Sequence, residues 1–280
     1  MIRTLFIAAA TLALLASPAV AQDAPEKASE PVAPAEVAPP EPAPEAQPAP
    51  EAEPAPEAEP ALKVSGGVTL VSKYRFRGIG LSDEDPAIQG TINLNHESGF
   101  YAGLWSSGID GFGELGGSNI ELDLYAGYKK EIVSNLTLDV GVLYYAYPGS
   151  KGGNFEFFEP YANVSGPVGP GSLKVGVAFA PSDKGIGGNS NLYTFGDYAL
   201  PIKGTPITLN SHLGWSKGKT TLTPGGDYLD WSLGASATWR NLTVGAAYVD
   251  TNISRSDAIA AGATKKIVDG TVVLSLGASF

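Results

Sequence analysis

The chain has 280 residues, of which 35 are glycine and none cysteine, and only 17% are charged. Without cysteine, neither a disulfide framework nor a zinc–thiolate site can form. The net charge of −11 is unevenly spread: ten acids against Lys27 leave residues 22–61 at −9, while nineteen acids against sixteen bases leave residues 62–280 near neutral, without the basic footprint that nucleic acid requires.

Taken in chain order, Arg3, the apolar run Leu5–Ala16 and the small-residue triplet Ala19-Val20-Ala21 read as a secretory signal over residues 1–21. The run is too short to span a bilayer comfortably. Residues 22–62 include the tract PAPEAQPAPEAEPAPEAEPA, which has no aromatic residue and cannot bury enough apolar surface to offset its ordering entropy. It is expected to be a disordered periplasmic tether, biased by proline toward extended polyproline II.

Residues 63–280 lack the periodicity of an amphipathic helix. They divide instead into about twelve segments of about ten residues with period-two alternation, separated by Gly, Pro, Asn, Ser or Asp. In the first, Val68, Leu70, Tyr74 and Phe76 fall on one face, and Thr69, Lys73, Arg75 and Arg77 on the other. Further along, Ile120, Leu122 and Leu124 lie opposite Glu121 and Asp123, Val140 and Val142 opposite Asp139, Leu213 and Trp215 opposite His212, and Leu274 and Leu276 opposite Ser275. Segments 99–107, 154–164 and 191–199 alternate less clearly.

Longer connections, at 79–85, 108–118, 148–154, 182–190, 217–226 and 251–266, take turns with shorter ones at 97–99, 130–135, 165–171, 200–205 and 239–241. That rhythm predicts an all-β fold: a transmembrane up-and-down antiparallel β-barrel of about twelve strands in a Gram-negative outer membrane. A secreted β-sandwich also alternates. Aromatics near strand ends (Phe76, Tyr128, Trp215, Trp239, Tyr248 and Phe280) favour interfacial girdles, and closure of so many strands leaves no edge. In the barrel, SKYRFRG (Ser72–Gly78) is expected to continue the first strand, with Tyr74 and Phe76 toward lipid and its three cations toward the lumen.

The stretch Val68–Ser107 resembles the opening of the TorF family, barrels described as porins without an assigned substrate. Ser72, Tyr74, Phe76, Arg77 and Gly78 match its first strand, Pro86, Ala87, Gln89 and Gly90 its P-A-x-Q-G element, and His96, Ser98, Gly99, Phe100, Tyr101, Gly103 and Trp105 its H-x-S-G-F-Y-x-G-x-W element. ELDLYAGYK (Glu121–Lys129) and the terminal VVLSLGASF resemble later signatures. The resemblance covers residues 64–280, leaves the tether outside, and implies an outer-membrane barrel with channel activity. Phe280 looks like the terminal signal read by the barrel-assembly machinery.

Lys73, Arg75 and Arg77 are candidate pore-lining residues, facing Glu121, Asp123, Asp139 and Glu159 from across the barrel. Either they set a transverse field that orders charged solutes, or they pair and fill a narrow lumen as structural core. His96 and His212 are the only histidines, and no nucleophile signature accompanies them, so no enzyme is expected. SDED (Ser82–Asp85) lacks the ligand spacing of a calcium loop and reads as solvated. No cofactor or metal is implied. The expected function is passive diffusion of small solutes. The alternatives are an envelope-anchoring barrel, whose 22–62 tract would reach a periplasmic partner or peptidoglycan, and a barrel hydrolase. The remaining expected partners are outer-membrane lipid and lipopolysaccharide.

Overall fold

The computed structural model describes residues 61–263 and 266–280; the expected signal and all but the last two residues of the tether lie outside the described residues. The strands are β1 (Leu62–Val71), the two-residue β2 (Arg75–Phe76) and β3 (Ile79–Gly80), then β4 (Ala87–His96), β5 (Phe100–Gly108), β6 (Ile120–Val133), β7 (Leu136–Ala146) and β8 (Phe157–Val168). They continue as β9 (Gly171–Ala180), β10 (Asn191–Pro201), β11 (Ile207–Gly218), β12 (Asp227–Trp239), β13 (Leu242–Thr251) and β14 (Thr271–Ser279). β1 and β4–β14 form one closed antiparallel barrel of twelve strands, in which each strand pairs with its sequence neighbours and β1 pairs with both β4 and β14. No sheet edge remains, and the sandwich alternative falls with it. At the seam, Gly66 and Phe280 exchange backbone hydrogen bonds of 3.1 and 2.9 Å.

The alternation follows from the two solvents the wall divides. Val68, Leu70, Val140, Val142, Leu229, Val272, Leu274 and Leu276 are exposed on the outside, and Leu233, midway along β12, is 66% exposed. A contiguous apolar exterior of this extent belongs in hydrocarbon, not in water. Phe100, Tyr128, Trp239 and Phe280 lie near the short-turn end, and Phe158, Phe179, Trp215 and Tyr248 near the long-connection end. These are two girdles of the kind that bracket a bilayer core. The less clear segments 99–107, 154–164 and 191–199 contain β5, most of β8 and most of β10.

Inside the wall, glycines lie beneath tyrosine rings. A Cβ at Gly127 would stand 2.4 Å from the Tyr101 hydroxyl, at Gly141 2.5 Å from that of Tyr161, and at Gly214 2.2 Å from that of Tyr193. A side chain there would displace the ring, which accounts for glycine within strands whose packing it would otherwise weaken.

One expectation needs correction. β1 ends at Val71, and Ser72–Gly80 leaves the wall and folds into the barrel. Tyr74 and Phe76, expected toward lipid, are 4% and 8% exposed inside, and Lys73, Arg75 and Arg77 do not share a face of a wall strand. The cause is a two-residue turn at Arg77 (φ 47°) and Gly78 (φ 81°) between Phe76 and Ile79, which pair. Positive φ at both central residues is the hairpin turn that matches strand twist. A hairpin arm alternates with the same period as a wall strand, so periodicity alone cannot separate them. Lipid would also keep the hairpin's rings from water, so the inward path gains from specific packing: Tyr74 on Trp105 and Phe76 on Tyr145, aromatic pairs worth about 0.5–1.5 kcal/mol each beyond their area. The long connection expected after β13 carries a six-residue helix, α1 (Arg255–Ala260), capped by the Ser254 hydroxyl. Six residues are too few to display a helical period.

Candidate functional site: a hairpin across the lumen

Ser72 closes the β1–β14 ladder: its N–H donates to the Leu274 carbonyl and its Oγ accepts from the Leu274 N–H, both at 2.9 Å. The chain then turns inward. The base of the hairpin is stitched by Leu81 N–H to the Tyr74 carbonyl (2.9 Å) and by Tyr74 N–H to Ser82 Oγ (2.9 Å). Lys73 Nζ lies 3.0 Å from Glu84 Oε2 and donates to Thr271 Oγ1 at 2.7 Å. Arg75 donates to Glu84 and to the carbonyls of Ile267 and Gly78. Glu84, expected as a solvated loop acid, is thus the carboxylate partner of two of the three cations.

At the tip, Arg77 is 3% exposed. Its Nη2 donates to Glu159 Oε2 at 2.6 Å and its Nη1 to Asn191 Oδ1 at 3.2 Å. The guanidinium lies 4.0 Å from the centroid of the Tyr193 ring and 4.8 Å from that of Phe76, geometry in which ring quadrupoles stabilise a cation. Tyr145 also donates to Glu159, at 3.0 Å, and Tyr147 donates to Glu121 at 3.1 Å. Asp123 is buried on the same strand as Glu121. Tyr74 packs on Trp105 at 5.4 Å between centroids, and Phe76 meets Tyr145 edge-on at 5.9 Å. Arg77 and Glu159 therefore form a contact pair, and Asp139 lies apart, accepting from Tyr101 at 2.5 Å.

Between the hairpin and the short-turn end lies a second polar group that the sequence reasoning did not assemble. His212 Nδ1 is 2.6 Å from Asp197, and its Nε2 is 2.9 Å from both Asp230 and the Tyr193 hydroxyl. Lys174 Nζ is 2.8 Å from Asp197, with side chains 31% and 20% exposed, so water reaches the pair. Lys174, Asp197 and Asp230 all occupy inward register positions, the signal that could have found them. Each imidazole nitrogen is thus within hydrogen-bond reach of a carboxylate, and Nε2 also of the Tyr193 hydroxyl. His96 is exposed outside, its Nδ1 2.7 Å from Ser98 Oγ. Among the described residues no group of three or more histidine, cysteine or carboxylate side chains is placed to hold a metal ion.

One family model matches the chain along most of its length: that of a bacterial protein of unknown function, Gcw_chp, which aligns with residues 55–280. The chain belongs to the Gcw_chp family. No curated protein matches it significantly. Among solved structures, this Gcw_chp member is similar to the NanC porin, with a TM-score of 0.50 at 10% identity over 78% of this chain and 99% of that one. It is also similar to the KdgM porin in complex with disordered oligogalacturonate (TM-score 0.48, 11% identity, 78% and 97% covered). A third is the COG4313 outer membrane channel from Pseudomonas putida F1 (TM-score 0.46, 13% identity, 82% and 99% covered). At such identities the likeness to NanC is one of fold.

Proposed function

We propose that this Gcw_chp barrel is a porin-like channel of the Gram-negative outer membrane, passing small solutes by diffusion. The observation that carries the reading is the water-exposed Lys174–Asp197 pair facing inward from a wall whose outside is apolar. Charges persist inside the wall at little cost only where water reaches them, and a solvated lumen is what a channel needs and an anchor does not. Lys129, Asp139 and Asn210, half-buried on the same inward face, extend the polar lining toward the short turns. The TorF-like opening motif supports the same assignment. On this reading the short turns face the periplasm, the 22–62 tract lies there as a tether, and lipopolysaccharide surrounds the outer girdle. Phe280, stationed at the seam beside Gly66, is the segment offered to the barrel-assembly machinery.

The hairpin inside the lumen favours a second reading, a structural barrel with a filled interior and a tether reaching peptidoglycan. Planar-bilayer recording separates the two. A channel shows stepwise conductance, and its cation-to-anion preference moves when Arg75 and Arg77 are both changed to Ala. Silence from wild-type and variant protein alike would leave the structural reading.

A further inference from the structure

The geometry points to the Ser72–Gly80 hairpin as a closed gate, hinged at the end of β1 and latched by Arg77 on Glu159 and Asn191. This rests on the channel reading. The hairpin stands across the lumen, not along one wall. Tyr74 touches Trp105 on β5, Phe76 touches Tyr145 on β7, and Arg77 reaches Glu159 on β8 and Asn191 on β10. A Cβ on Gly78 would come within 2.3 Å of Thr251 Cγ2 on β13 and 3.1 Å of Asp230 Cβ on β12. Lys73, at the root, reaches Thr271 on β14. Contacts thus run most of the way round the barrel, and the water-exposed pocket of Lys174 and Asp197 lies on the short-turn side of them.

A permanent plug and a gate differ in how they are attached. β2 and β3 pair with each other and with no wall strand. Ser72, the hinge, stays on the β1–β14 ladder, and Leu81 N–H closes the base on the Tyr74 carbonyl; beyond these the hairpin's backbone link is Gly80 N–H to the Ile267 carbonyl, at 2.7 Å, in the last long connection. Side chains hold it everywhere else, and Arg77 at the tip is held to the wall by one ion pair, one amide and the face of Tyr193. The unit can swing out without opening any rung of the barrel ladder. Arg77 and Gly78 are the places where its own conformation is special: Gly78 has both a positive φ and no room for a side chain.

The chain has no cysteine, so an introduced pair is unambiguous. A Cβ at Gly80 would lie 3.3 Å from Ile267 Cβ, close to the separation of about 3.5–4.5 Å that a disulfide spans. Gly80→Cys with Ile267→Cys should therefore lock the hairpin to the outer connection. Purified full-length protein is recorded in planar bilayers as wild type, as Arg77→Ala, and as Arg77→Ala carrying the cysteine pair under oxidising and then reducing conditions. Arg77→Leu with Glu159→Ala, which removes both members of the pair, serves as a second release variant if Arg77→Ala does not fold. The gate predicts that release raises mean conductance several-fold, that oxidation returns the triple variant to the wild-type level or below, and that reduction restores it. Equal conductance from all of these would overturn the gate and leave the channel standing. Absence of conductance from every variant would remove the channel reading and the gate with it.

Discussion

Glu159→Ala is expected to destabilise the folded barrel by about 3–5 kcal/mol, the cost of leaving a buried charge without its partner. Arg77 is almost fully enclosed, and nothing else within reach carries a negative charge directly against it: its other contacts are the Asn191 amide and two aromatic faces. The same truncation removes the acceptor of the Tyr145 hydroxyl. Glu159→Gln keeps an oxygen for both donors and should cost less. The informative variant is Glu159→Ala with Arg77→Leu. Replacing both members of a buried pair by apolar groups is often close to neutral, so the double variant should recover most of the loss. Denaturant unfolding of detergent-solubilised protein reads all three. A single variant as stable as wild type, or a double variant no better than Glu159→Ala, would show that the pair does not hold the tip.

Leu233→Arg should cost about 2–4 kcal/mol, the penalty for a cation on the lipid face at the bilayer midplane. That corresponds to about 30- to 700-fold in the folding equilibrium. The solvent decides the size of this effect. Leu233 is one of the most exposed large apolar residues on the molecule, at mid-strand in β12. Were water outside, exchanging it for Arg would fall within about ±0.5 kcal/mol, as surface changes usually do. Leu233→Phe, which stays apolar, should be tolerated in lipid vesicles. Equal stability of the Arg and Phe variants in vesicles would contradict a hydrocarbon-facing wall.

Much of the fold was legible because two solvents impose it. Each barrel strand must show hydrocarbon one face and the interior the other, so Ile120, Leu122 and Leu124 against Glu121 and Asp123 could be read directly, and the long and short connections fell where the turns are. The hairpin escaped because Tyr74, Arg75, Phe76 and Arg77 obey the same alternation whether the strand stays in the wall or turns inward. The distinguishing signal was local: a residue followed by glycine, Arg77-Gly78, between two pairing residues, the pattern of a two-residue turn. The site was legible only in part. Arg77 and Glu159 were both named, and pairing into a filled lumen was one of the two readings, but which cation meets which acid was not legible. Asn191 and Tyr193, which complete the latch, sit at the start of a strand whose alternation is weak, and their meeting with Arg77 is set by barrel closure across more than a hundred residues of sequence.

The wall meets lipid while SKYRFRG leaves it for the interior, and tryptophan quenching by brominated lipid tells the two environments apart. With Trp105, Trp215, Trp231 and Trp239 replaced by Phe, a single Trp is introduced at Leu70, the last outward residue of β1, or at Phe76. Strong quenching at position 70 and little or none at position 76 is the predicted result; quenching of equal strength at both would put the segment back in the wall and contradict the account.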